Sequence, residues 1–460
     1  MLTRQTTLLL LSLVLLLLPG GVLAATTSQA PSSPPAWTAQ EAVRFALANS
    51  PDAKMAESRI AAAQAAITME RAAFFPRLDL NSQYSQTNNP MYSFGNILNQ
   101  GVFHPGIDFN HPGQTDNLNL GVRLSYSLFS GGRDWAGLNA AQAQQMAAQM
   151  ERDAVAAQLG FEVVRAFNLI QQAEGMVRAH QDEVKAIGAA VAVAQARYGE
   201  GVLLKSDLLD LEVQQAKAQE NLIQAQHGLA VGRKIFLNLL GLPEGEVVLD
   251  PAGGARQEVP ANRDYEKRPE LQGVDALVRA AKSRVRQASA GYYPTLDGYA
   301  GYGIDKGYEL EGGSGNSWEA GVQLKFNLFN GRQTEGAVAK ASAGLVEAQE
   351  RKRKTELAVG LEVKQAEFAL QEAQERLRVS TKSVEQAQES ARINRLRYKE
   401  GVLLTADLIA VESRLTEAMV RRTVAETAER VALADLRRAL GLAQFEESSA
   451  PPPAGHHATD

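Results

Sequence analysis

The chain is written twice, and no other feature restricts its fold as much. Arg197-Tyr198-Gly199-Glu200-Gly201-Val202-Leu203-Leu204-Lys205-Ser206-Asp207-Leu208 returns 200 positions later as Arg397-Tyr398-Lys399-Glu400-Gly401-Val402-Leu403-Leu404-Thr405-Ala406-Asp407-Leu408. Gly121-Val122 through Leu128-Phe129-Ser130-Gly131 returns at the same spacing as Gly321-Val322 through Leu328-Phe329-Asn330-Gly331. Phe75-Pro76-Arg77-Leu78-Asp79 matches Tyr293-Pro294-Thr295-Leu296-Asp297 at a spacing of 218, so the first copy holds 18 extra residues (218 − 200) between Pro76 and Gly121. Self-similarity of this kind predicts an internal duplication, with a first repeat over 38–262 and a second over 263–442.

Each copy holds two segments in which apolar and polar residues alternate. Leu118, Leu120, Val122, Leu124, Tyr126 and Leu128 alternate with Asn119, Gly121, Arg123, Ser125 and Ser127. Trp318, Ala320, Val322, Leu324, Phe326 and Leu328 alternate with Glu319, Gly321, Gln323, Lys325 and Asn327. A period of two belongs to a strand with one apolar face. The preceding segments show it through Leu78, Leu80 and Tyr84, and through Leu296, Ala300 and Tyr302. Strands are predicted at 77–87, 118–129, 295–304 and 317–329, near the length of about 9–11 residues that a tilted membrane strand needs. The stretches Asn88–Gln114 and Asp305–Asn316, rich in Asn, Gly, Pro and His, are read as connecting loops at the outer face of a barrel. His104, Asp108 and His111 fall there and are read as solvated residues rather than metal ligands.

The remainder reads as helix, over 38–74, 133–198 and 206–240 in the first copy and 269–291, 332–398 and 405–441 in the second. Arg133–Tyr198 contains no proline, and at 1.5 Å per residue it reaches roughly 100 Å, too long for one globular core. After the Gly201 turn, Leu208, Leu211, Gln215, Ala218, Leu222, Ala225, Leu229, Gly232, Phe236 and Leu239 recur at alternating steps of three and four, as in a coiled coil. The second copy repeats the pattern with Leu408, Val411, Leu415, Ala418, Arg422, Ala425, Glu429, Ala432, Leu436 and Ala439. The returning helices cover about half of their long partners, so the helices before the strands, Pro51–Phe74 and Pro269–Gly291, are expected to stack end to end with them.

Residues 1–24, with Arg4, the leucine-rich stretch Leu8–Leu18 and Val22-Leu23-Ala24, predict a secretory signal cleaved before Ala25. A disordered linker is expected over 25–37 and a disordered tail over 443–460, where His456 and His457 are read as solvated. The absence of cysteine excludes disulfides and a lipid-acceptor thiol. A net charge of −5 argues against nucleic acid as a partner. The run Arg351-Lys352-Arg353-Lys354 reads as the solvated face of a helix, and Gly131-Gly132 and Gly331 as joints between strand and helix. No cofactor, metal site or catalytic residue set is predicted.

Four membrane strands cannot close a barrel alone, and open strand edges are not tolerated in lipid. Oligomerisation is therefore required, and three copies give twelve strands. The expected architecture is membrane all-β plus all-α: a trimeric 12-stranded β-barrel, four strands per subunit, continued by a long periplasmic α-helical barrel of coiled-coil hairpins.

In this order, the opening Glu41-Ala42-Val43-Arg44-Phe45-Ala46-Leu47-Ala48-Asn49-Ser50-Pro51, the Arg268-Pro269-Glu270-Leu271 start of the second copy, the aromatic-Pro strand entries and the Arg-Tyr…Gly…Asp-Leu turns resemble the TolC-like outer-membrane efflux proteins, the outer membrane factor family. The resemblance runs from Trp37 to Leu442. It implies a homotrimer in outer-membrane lipid that passes substrates from an inner-membrane transporter and a periplasmic adaptor, in an efflux or type I secretion system. It also implies a periplasmic gate at the tip: Tyr398 and Asp407 match its positions, with Arg397, Asp207 and Arg197 as potential partners. The positions at which relatives carry an arginine and a second aspartate are here Leu403 and Ala410, and Asp210 is the substitute in the first copy. A plainer reading of Asp207 and Asp407 is that they cap the returning helices. The turns with Gly201, Val202, Leu203, Gly401, Val402 and Leu403 are read as the adaptor-docking tip, since apolar residues at an exposed end require a partner; closing the hairpin is the other use for them. Two further functions fit the sequence less well. A soluble periplasmic coiled-coil adaptor leaves the four amphipathic strands without a purpose, and a secreted enzyme lacks any nucleophile, metal or phosphate motif at usable spacing.

Overall fold

The structure is a computed structural model that describes residues 36–250, 258–309 and 312–445. The expected signal, the linker before residue 36 and the tail beyond 445, with His456 and His457, lie outside the described residues.

The fold includes Trp37, which the sequence places in the linker. Trp37 is buried, its ring 5.3 Å from that of Phe45 and 6.1 Å from that of Phe236. Its N–H donates to Val248 O at 2.8 Å and its carbonyl accepts from Asp250 N at 2.9 Å, so an indole in the core and a short backbone pairing fix it. Helix α1 (Ala39–Asn49) follows, with Thr38 and Glu41 forming a reciprocal capping box. Helix α2 (Pro51–Arg71) is separate from it, and a 3₁₀ turn at Ala72–Phe74 completes the segment. The single helix expected over 38–74 is broken because Pro51 pushes Ser50 out of the helical region, to φ −58 and ψ 138; Ser50 then caps α2.

Strand β1 (Arg77–Thr87) is followed not by a plain loop but by a ten-residue helix, α3 (Pro90–Asn99). Asn89 caps it and Pro90 opens it, a start signal present in the sequence and outweighed there by the polar composition around it. Strand β2 (Thr115–Phe129) leads into α4 (Arg133–Gly199), which turns into α5 (Lys205–Leu240). The second half gives α6 (Pro269–Ser289), β3 (Thr295–Lys306), β4 (Ser314–Lys325), α7 (Gln333–Lys399) and α8 (Thr405–Ala439). Strand β4 ends at Lys325 rather than at residue 329. Lys325 is paired with Thr295, and the residue before Thr295 is Pro294, which has no N–H to extend the ladder. At the other end of the chain, Gln444 is buried and its Nε2 donates to Ala434 O at 3.0 Å, so residues 443–445 belong to the fold and not to the tail.

The four strands form one antiparallel sheet in the order β1-β2-β3-β4. The register pairs Leu80 with Val122, Val122 with Tyr302 and Tyr302 with Trp318, so one face carries the apolar side chains of all four strands. The other face carries Asp79, Asn81, Asn119, Arg123, Asp305 and Glu319. There Arg123 pairs with Glu319 at 2.9 Å and lies 5.4 Å from the centre of the Tyr299 ring.

The two long helices have 67 residues each and run away from the sheet for about 100 Å. Helices α2 and α5 pack along α4, while α6 and α8 pack along α7; α4 also meets α6 and α8, which joins the two halves. The expected heptad positions of α5 and α8 are buried or half-buried except Arg422, which is exposed and pairs along its own helix with Glu426 at 2.9 Å. The thickest core lies midway, where Trp37 and α1 cover Val163, Phe167 and Ile170 of α4 and Phe236 and Leu240 of α5.

One ionic junction ties the second half together. Arg268, buried just before α6, donates to Glu270 at 2.7 Å, to Glu362 of α7 at 2.5 Å and to Ala439 O of α8 at 3.1 Å. Arg438 grips the other oxygen of Glu362 at 2.6 Å. Burial works against the charge on Arg268, but its two carboxylate partners hold its pKa above the ordinary arginine value. Burial likewise pushes Glu362 up, and Arg268 and Arg438 outweigh it, holding this carboxyl below its usual range.

Candidate functional site at the hairpin tips

Both hairpin turns are built by one backbone device. In the first, Gly201 N–H donates to Tyr198 O at 3.0 Å and Val202 N–H to Arg197 O at 3.0 Å; in the second, Gly401 donates to Tyr398 O at 3.0 Å and Val402 to Arg397 O at 2.9 Å. This double return bond closes a helix on a left-handed residue, and Gly201 and Gly401 have φ of 77 and 83. The repeat of Arg-Tyr…Gly-Val in the sequence is thus the repeat of a helix stop.

The returning helices start at Lys205 and Thr405, and the cap positions before them are Leu204 and Leu404, whose side chains make no capping bond. Asp207 and Asp407 sit in the first turn, two residues inside. They do not cap, which corrects the plainer sequence reading; a carboxylate there is still favoured by the positive end of the helix.

The apolar residues of the turns divide by side. Leu203 and Leu403 point inward against Ile187, Val191, Ala194, Leu211 and Leu408. Val202 and Val402 are 69% and 68% exposed, and the next leucines, Leu204 and Leu404, are 69% and 72% exposed. Leu203 and Leu403 therefore close the hairpins, and the outward set gains Leu204 and Leu404, which the sequence reading omitted. The signal was the same Val-Leu-Leu run; what it lacked was the direction of each side chain.

Among the six residues singled out for the gate, the structure brings two together. The Arg197 guanidinium stands 5.5 Å from the centre of the Tyr398 ring and donates to Lys399 O at 2.9 Å. Tyr398 is buried in the tip core, and its hydroxyl has no hydrogen-bond partner within the described chain. Asp207, Asp210, Asp407 and Arg397 make no ion pair within the described chain; Asp210, Asp407 and Arg397 are exposed and Asp207 is half-buried. A stronger link lies about one turn further up: Arg395 of α7 holds Glu412 of α8 through two hydrogen bonds of 2.5 and 2.7 Å. The Glu412 carboxylate is buried, and its hydrogen bonds raise the Arg395 pKa above its ordinary value against the effect of burial.

A sheet with one largely apolar, exposed face, joined to helical hairpins of this length with paired turns, also appears in known proteins. The family model described as outer membrane efflux protein matches residues 42–234 and 263–442. The chain belongs to the outer membrane efflux protein family. Protein CyaE of Bordetella pertussis is 26% identical over 396 residues, 84% of this chain and 80% of that protein. Outer membrane protein TolC of Vibrio cholerae is 21% identical over 398 residues, 83% of this chain and 85% of that one. Among solved structures, the CmeC outer membrane channel of Campylobacter jejuni superimposes with a TM-score of 0.76 at 15% identity, covering 89% of this chain and 87% of that chain, a likeness of fold. As an outer membrane efflux protein the chain is a channel that carries substrates across the outer membrane, with its helices in the periplasm. The alternative of a soluble adaptor is thereby set aside.

Proposed function

We propose that three copies of this efflux protein close a twelve-stranded barrel in the outer membrane, continue it as a helical tube, and gate that tube at the hairpin tips. The observation that carries the reading is the open sheet. Strands β1 and β4 are both edges, each paired with one strand alone among the described residues, and most large apolar side chains of the face beside them are exposed. In lipid each unpaired backbone group costs several kcal/mol, so the edges must meet those of other copies. The helices agree: Leu357, Leu361, Phe368 and Val379 of α7 are exposed in the single chain, as expected of residues that face a neighbouring protomer. The polar face with Arg123, Glu319 and Asp305 then lines the channel.

At the tip, Arg197 and Tyr398 lock the two hairpins of one protomer to each other. Asp207, Asp210, Asp407 and Arg397 are left to pair across protomers and to set the charge of the aperture, where carboxylates favour cations and repel anions. Opening means parting these contacts. Gly201, Val202, Leu204, Gly401, Val402 and Leu404 form the end that meets the periplasmic adaptor, through which the inner-membrane transporter delivers its substrate, while Leu203 and Leu403 hold the turns from within. Native mass spectrometry of the protein extracted in detergent from isolated outer membranes tests the assembly. A trimer supports it; a monomer in that fraction overturns it.

A further inference from the structure

The extra residues of the first copy build something its second copy lacks. Helix α3 lies on the polar face of the sheet, the face that lines the channel in the assembly proposed above. Asn96 Nδ2 donates to Thr115 Oγ1 at 3.0 Å, and the buried Gln100 donates through Nε2 to Asn117 Oδ1 at 3.1 Å and to Asp116 O at 2.7 Å. Thr115 and Asn117 share their side of β2 with Asn119 and Arg123, because side chains alternate. Ser93, also buried, donates to Gly113 O at 2.7 Å. On the neighbouring hairpin, Gly313 and Gly315 leave room for the helix end: a Cβ on either would run into the backbone oxygen of Gln100 or Asn99. Two glycines at the seat and a set of buried polar groups paired across it describe a specific docking of α3 on the inner wall.

The opposite side of α3 is apolar and uncovered. Met91, Tyr92 and Leu98 are exposed, and the helix Pro90–Asn99 carries no charged side chain. Behind it Phe94, Phe103 and Phe109 stack with centroids 4.7 to 6.1 Å apart and stiffen the rest of the loop. We infer that α3 is an outer lid whose uncovered face meets α3 of the other copies of this chain across the channel axis, so that the pore narrows at its extracellular mouth as well as at the periplasmic tips. Three uncharged apolar helices converge there without repulsion, and the contact removes from water the patch each exposes alone. This inference rests on the trimeric barrel.

Two variants of the full chain test it. Gly315→Leu displaces α3 from its seat, and the single-channel conductance of the purified protein in planar bilayers is expected to rise about twofold or more, with the polar wall exposed. Leu98→Cys places one thiol in each protomer of a chain that has no cysteine, and mild oxidation is expected to link protomers in pairs. Unchanged conductance in an assembled Gly315→Leu trimer, or a Leu98→Cys trimer that does not cross-link, overturns the lid while leaving the channel intact. Absence of a trimer in the unmodified protein, read by native mass, overturns the barrel and the lid with it.

Discussion

Arg197 and Tyr398 come from opposite halves of the chain, yet the guanidinium of one stands 5.5 Å from the ring centre of the other and reaches past it to the carbonyl of Lys399 at 2.9 Å. A cation over a ring and a charged donor at the last carbonyls of α7 act together on one side chain. Replacing Arg197 by alanine is therefore expected to loosen the two tips by about 1–2 kcal/mol. Faster amide exchange over 396–404, with exchange in the sheet unchanged, checks it.

Tyr398 makes the complementary test. Its hydroxyl is buried and has no hydrogen-bond partner among the described residues, and removing such a group is neutral or stabilising. Tyr398→Phe should leave the thermal midpoint of the extracted oligomer unchanged or raise it. A lower midpoint would mean that the hydroxyl finds its partner in the adjoining protomer.

Gly401→Ala should cost more than Gly201→Ala. Both force an L-residue into the left-handed region, at about 1–2 kcal/mol. A Cβ on Gly401 would in addition come within 3.3 Å of the Arg197 guanidinium, whereas Gly201 has open space. Thermal unfolding of the two variants side by side decides the order.

The junction at Arg268 predicts an acid-sensitive midsection. Arg268→Ala leaves Glu362 with Arg438 as its one partner and the Ala439 carbonyl without its donor, a loss of about 1–3 kcal/mol. Because the folded-state pKa of Glu362 lies below its ordinary 4.5, its contribution is in full force above that value and is lost as pH falls toward the depressed pKa. Chemical denaturation between pH 3 and pH 7 should show a steeper acid limb for the native protein than for Glu362→Gln.

The exposed tip residues should separate binding from folding. Changing Val402 and Leu404 together to aspartate removes no internal contact of consequence, so the thermal midpoint should hold. Affinity for the periplasmic adaptor, titrated by fluorescence anisotropy, should fall by about tenfold or more if these side chains are anchors. The inward-facing Leu403→Asp should instead lower the midpoint.

Much of this architecture was legible because it depends on local periodicity. Alternation of Leu118 through Leu128 marks a strand, the proline-free run after Arg133 marks a long helix, and Arg-Tyr…Gly-Val marks each turn. Features decided by composition or by distance were not. Helix α3 hid inside a segment whose Asn, Gly and Pro content favours turns, although Asn89-Pro90 is a sound helix start. Arg268 and Glu362 stand 94 positions apart, and no pattern along the chain marks them as partners before the helices are packed. At the tip, the sequence supplied Tyr398 and Arg197 but could not say that they touch, or that Leu403 turns in while Leu404 turns out.

The equal length of α4 and α7, at 67 residues each, works as a pair of matched legs. Both feet stand level only while the legs agree, so a deletion of one turn in either helix would lift its foot by about 5 Å and swing the neighbouring side chains to a different bearing. A flat surface pressed against the far rim would then touch half of the knuckles. Variation in this protein is free to alter the surface of either leg, but a change in the span of one must be answered in the other.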